Sequence, residues 1–96
     1  MGAMSFMASA KGATAKEAFI AAREEAAYEH GHGGYSGTIA EKGRFVQIAV
    51  PTGQTAADFA EELMEGDDPR IADKWGPAGC VEVGKGSWLF FGYASS

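Results

Sequence analysis

Residues 87–93, Ser-Trp-Leu-Phe-Phe-Gly-Tyr, constrain this chain more than any other stretch. In an extended strand, successive side chains leave opposite faces. Trp88 and Phe90 then leave one face, and Leu89, Phe91 and Tyr93 the other, so neither face is polar. An antiparallel sheet with one wet face normally shows one polar set. A strand of this kind has to be covered on both sides, by its own chain or by something else.

The segments available to cover it follow from spacing. Thr14-Ala-Lys-Glu17 has capping-box spacing and predicts a helix to about Glu29, with Ala15, Phe19, Ala22 and Ala26 on its apolar face. Thr55-Ala-Ala-Asp58 starts a second helix, ended by Gly66. There Ala56, Phe59, Ala60, Leu63 and Met64 share one side, and Asp58, Glu61, Glu62 and Glu65 the other. Residues 37–41 and 44–50 read as strands around a turn at Lys42-Gly43, with Pro51 ending the second. Residues 80–83 and 87–93 read as a second hairpin around Gly84-Lys-Gly86. Residues 67–74 are a charged connection. Residues 1–13 show no period and are expected to be a loose tail. Within them, Met1-Gly2-Ala3-Met4 has the look of an expression remnant, with the natural start at Met4.

The order is helix-strand-strand, twice. Aligning Gly34-Tyr-Ser-Gly37 with Gly76-Pro-Ala-Gly79 puts the glycines of both halves in register. The expected fold is α+β and two-layered: a pseudo-duplicated α-β-β-α-β-β unit spanning 14–96, with a four-stranded, mainly antiparallel sheet and both helices on one face. The other face would carry Phe45, Trp88 and Phe90. An exposed aromatic patch of that kind marks a partner, most commonly a second copy, so the chain is expected to be a homodimer through its sheet. The alternative is that the tail or the 66–78 loop folds over the patch.

Charge narrows the choice of partner. The net charge of −5 argues against general nucleic-acid binding and against an anionic membrane surface. No apolar run approaches the length of a membrane span. Cys80 is the one cysteine, so no internal disulfide forms; this fits a reducing compartment, and the expected location is the cytoplasm.

The exposed chemistry gathers at residues 28–39, Tyr-Glu-His-Gly-His-Gly-Gly-Tyr-Ser-Gly-Thr-Ile, which hold both histidines. A transition metal at His30 and His32 would need a third and usually a fourth ligand, for which Glu29, Asp67, Asp68 and Asp73 are the candidates. With no His-x-x-x-His and no cysteine pair, histidines serving a helix end are the better reading, and neither a metal nor any other cofactor is expected. Dinucleotide and P-loop signatures place a strand before their glycines and a helix after them; here the order is reversed. The glycine corners still offer amide groups to a small anion. Tyr28, Tyr35 or Trp75 would stack a base there, Lys42, Arg44 or Lys74 would supply charge, and His30, His32, Ser36 and Thr38 would complete the lining. Gly34-Tyr-Ser-Gly falls one residue short of a nucleophile elbow. Base stacking on Trp88 and Phe90, in the manner of an RNA-recognition motif, is opposed by the order of elements and by the charge.

The 18–41 segment, around this glycine-rich core, resembles a pattern in small uncharacterised proteins encoded by bacteriophages. That family has no assigned activity, so the resemblance implies a setting and no site residues: an accessory or counter-defence protein in the host cytoplasm. The sequence therefore reads as a non-enzymatic binding protein that holds a host protein or a nucleotide-like anion. The rival readings are a small metal- or histidine-dependent hydrolase centred on His30 and His32, and a structural phage component.

Overall fold

The structure is a computed structural model; it describes residues 2–30 and 36–96, apart from the His30 side chain. It contains two helices and a four-stranded mixed sheet, an α+β protein. In chain order the elements are β1 (Ala3–Lys11), α1 (Ala15–His30), a single 3₁₀ turn (Ile39–Glu41), β2 (Phe45–Gln47), α2 (Ala56–Glu65), β3 (Ala78–Gly84) and β4 (Ser87–Ser95). The strands lie in the order β1-β4-β3-β2. β4 is antiparallel to both β1 and β3, and β2 is parallel to β3.

Both helices start where their caps predict. Glu17 donates its amide to Thr14 Oγ1 at 3.2 Å, and Asp58 donates its amide to Thr55 Oγ1 at 3.1 Å. α1 buries Ala15, Ala18, Phe19 and Ala22. The chain entering the helix passes close to its first turn, which Gly12 permits: a methyl group added there would lie 2.8 Å from the Ala18 amide nitrogen. α2 buries Phe59, Ala60 and Leu63 and keeps its acids in water.

The closing strand is covered on both sides, and by the chain itself. Trp88 and Phe90 pack with α1, Ile39, Ala78 and Cys80. Leu89 and Phe91 pack with α2, Ile48, Ile71 and Val81. Alternate residues of one strand thus meet different helices, which puts α1 and α2 on opposite faces of the sheet instead of together on one. Chain direction explains the difference. The connection from β1 to β2 runs across the sheet one way, and that from β2 to β3 runs back. Two right-handed crossovers of opposite direction place their helices on opposite faces.

Phe45, Trp88 and Phe90 accordingly form no exposed patch. Phe90 is fully buried, Trp88 is buried, and Phe45 is half-buried against Phe19 and Phe90. The Phe19, Phe45 and Phe90 ring centroids are 4.9–5.7 Å apart, a tilted trio that adds to its area burial. Trp88 donates its indole N–H to the Gly12 carbonyl at 3.0 Å, which satisfies its polar end inside the fold.

Two further expectations are corrected. Residues 3–11 are not a loose tail: they form β1, paired residue for residue with β4 from Ala3–Ser95 to Lys11–Ser87. Phe6, Ala8 and Ala10 alternate inward toward α1, while Ser5, Ser9 and Lys11 are exposed. Residues 37–41 are not a strand. Gly37 has φ +71°, Thr38 accepts from the Ala40 amide, and the chain coils so that Ile39 plugs into the α1 side of the core. The pseudo-duplication ends there, because the first half supplies one short strand, β2, where the second supplies a hairpin.

Candidate functional site

Among the described residues, those that sequence grouped at the glycine corners are brought together only in part. Tyr28 stands on the outer side of α1 and is 90% exposed. His32, Tyr35 and the His30 side chain lie outside the described residues. Ser36 and Thr38 are tied into a local knot. The Ser36 amide and hydroxyl both donate to Glu41 Oε2, at 3.0 and 2.9 Å, and the two hydroxyl oxygens are 2.7 Å apart. A serine held on a carboxylate in this way braces the turn that carries Ile39.

Lys42 does not face a ligand either. It is buried, and its Nζ donates to the carbonyls of Gly76, Lys74 and Asp73 at 3.0, 3.1 and 3.4 Å. Burial lowers its pKa from the ordinary lysine value, against a raising effect of Asp73 and with a smaller lowering effect of Arg44. An ammonium with three donors suits three convergent carbonyls, so Lys42 acts as a peg that fixes the 73–76 segment. On the outside of that segment, Lys74 donates to the Gly2 carbonyl at 3.4 Å and lies 5.3 Å from the Trp75 ring centroid. Of the four glycines aligned in the two halves, Gly34 lies outside the described residues, and Gly37 alone of the others is left-handed. Gly79 sits within β3 beneath Phe91, where a Cβ would come within 2.6 Å of the ring.

Arg44 and Phe45 are predicted residues that the fold brings together in one hollow, and Thr38 lines another. A groove of about 350 Å³ runs between α1 and β2, lined by Lys16, Phe19, Ile20, Arg23, Arg44 and Phe45, with Gly43 at its rim. Its lining holds three cations and no acid. The floor is the Phe19–Phe45 ring pair, and Ile20 is 47% exposed at the side. The Arg23 guanidinium lies 5.9 Å from the Phe19 centroid and donates to the Ala40 carbonyl at 3.3 Å, while its buried Nε finds no acceptor among the described residues. Lys16 and Arg44 make no ion pair among the described residues. The opposite flank of α1 has the other sign: there Glu25 and Glu29 border a hollow of about 270 Å³ floored by Phe6, Ala8 and Ile39.

Chemically, the basic groove offers an apolar floor with cations around it, the arrangement that takes a ligand with an apolar body and an anionic group. Sequence reading placed Arg44 in a ligand set and Phe45 in an interface set, and it missed Lys16, Ile20 and Arg23. Their spacing of four and then three residues is a helical stripe and is visible in the sequence. What turns the stripe into a groove is β2, which the sequence does not place beside α1.

Among the described residues no three of His, Cys, Asp and Glu converge as a metal site would need. Cys80 is buried, and burial, aided by Glu82, pushes its thiol up to about 11. No helix among the described residues is long and apolar enough to cross a membrane.

Fold and groove together define a small α+β domain with helices on both faces of a mixed sheet and one basic, apolar-floored hollow. No protein-family model matches this chain, no curated protein matches its sequence, and no solved structure matches its fold.

Proposed function

We propose that this chain is a non-enzymatic binding module that holds a small amphipathic anion in the groove between α1 and β2. The observation that carries the reading is the lining: Lys16, Arg23 and Arg44 around the Phe19–Phe45 floor, with no acid, on a chain whose net charge is −5. Local charge of this sign works against the charge of the whole protein, so it selects a ligand small enough to sit inside the groove. An aromatic or aliphatic body would lie on the rings, with a carboxylate, sulfonate or phosphate between Lys16 and Arg44. In the setting implied by the resemblance to phage-encoded proteins, the module would sequester a nucleotide-like anion of the host.

Anilinonaphthalene sulfonate, an aromatic anion, is a suitable probe. The expected result is saturable one-site binding that weakens at higher salt and falls by roughly tenfold or more in a Lys16→Glu, Arg44→Glu double variant. Nucleoside monophosphates should displace the probe and raise the melting temperature. Absence of saturable binding, or equal binding by the charge-reversed variant with its fold intact, would overturn the proposal.

A further inference from the structure

We propose that β1 is a self-pairing edge and that two copies of this chain join through it, antiparallel, into one eight-stranded sheet. The inference does not rest on the binding groove, which lies at the other edge of the sheet, beside β2.

An edge strand presents a row of backbone donors and acceptors without partners, and folded proteins usually blunt such rows with prolines, charges, bulges or short length. β2, at one edge, is blunted by being three residues long. β1, at the other, is nine residues long and reads Ala-Met-Ser-Phe-Met-Ala-Ser-Ala-Lys. It holds no proline and no charge before Lys11, and its register with β4 runs without a bulge. Among the described residues nothing else pairs with it.

The backbone shows which residues point outward. Gly12 donates its amide to Gly86, and Ser96 donates its amide to Gly2, so even positions turn toward β4. The N–H and C=O groups of Ala3, Ser5, Met7, Ser9 and Lys11 therefore lie along the open edge. A two-fold axis at Met7 pairs these five with themselves, as Ala3 with Lys11, Ser5 with Ser9, and Met7 with Met7. Each such pair exchanges two bonds, roughly ten in all. Sliding the register either way shortens the ladder.

Side chains fit the same register. On the α1 face Phe6 falls opposite Ala8, and Met4 opposite Ala10, large against small. On the α2 face the serines oppose each other and Met7, 42% exposed, meets its own copy. Lys11, the one charge of the strand, falls opposite Ala3. Ala3 lines a hollow with Glu61 and Glu65 of α2, so the pairing brings each Lys11 to the other copy's acids. A foreign strand would match the backbone, but this charge and size complementarity belongs to a second copy, and a two-fold contact closes on itself as a dimer.

The test is sedimentation equilibrium on the full chain without an N-terminal tag. The expected species has twice the 10.0 kDa chain mass. Met7→Lys puts two like charges at the axis on an exposed position; it should leave the circular dichroism unchanged and raise the dimer dissociation constant by roughly tenfold. Lys11→Glu should also weaken association, and adding Glu61→Lys and Glu65→Lys to it should restore it. A 10.0 kDa monomer at the highest soluble concentration overturns the proposal, as does a dimer indifferent to Met7→Lys.

Discussion

Replacing Lys42 by methionine keeps most of its aliphatic stem and deletes the ammonium that holds three carbonyls. Two of the three bonds are short, at 3.0 and 3.1 Å, and the third, at 3.4 Å, is near the limit. A hydrogen bond from a charged donor contributes about 1.5–3 kcal/mol net, so two good ones give about 4 kcal/mol. Desolvation of the ammonium, visible in its lowered pKa, offsets part of this. A loss of about 2–3 kcal/mol remains, or roughly 30- to 150-fold in the folding equilibrium. For a chain of this length that lowers the melting temperature by about 10–20 °C. Urea unfolding followed by far-ultraviolet circular dichroism measures it. The pH dependence supplies a second, independent sign. Between the lowered pKa of folded Lys42 and its ordinary 10.5, the unfolded chain binds more protons than the folded one. Stability from this group therefore rises with pH across that window, and the methionine variant lacks the effect. The gap between wild type and variant should widen as pH climbs toward 10.5. A variant as stable as wild type would refute the peg, and a gap that narrows with pH would refute burial as the dominant influence on Lys42.

Three other outcomes follow from the same packing. Gly79→Ala should cost about 3 kcal/mol in chemical denaturation, because its methyl group would meet the fully buried Phe91 ring at 2.6 Å and Ile71 at 2.9 Å. Cys80 should react with a thiol reagent only as fast as the protein unfolds, and in step with it as urea is added; its buried thiol, pushed up to about 11, also makes folding less favourable as pH rises above its ordinary 9.0, since the unfolded chain then loses that proton first. Acrylamide should quench Trp75, which is 60% exposed, and spare Trp88, which is 8% exposed, so Trp75→Phe should leave an emission largely protected from quencher.

Much of the fold is determined locally and was legible. The caps at Thr14 and Thr55, the apolar faces of both helices and the β3–β4 hairpin rest on contacts within a few residues, and all of them appear as read. Arg44 was visible as a candidate cation. What failed depends on pairing between distant segments. The period of two in Phe6, Ala8 and Ala10 is written in the sequence, but alanine, serine and methionine have little strand preference of their own; β4 makes them a strand by offering its edge. Residues 37–41 have better strand formers, yet Gly37 at φ +71° and the hydroxyl of Thr38 coil them instead.

Sequence alone determined that the closing strand must be covered on both faces, because alternation puts rings on each side whatever the fold. Tertiary structure decided what covers it. With β1 at the far edge of the sheet, the β1–β2 and β2–β3 crossovers run in opposite directions, and that sends α1 and α2 to opposite faces. The same placement brings β2 alongside α1, so that Arg44 joins Lys16 and Arg23 of the helix around one apolar floor.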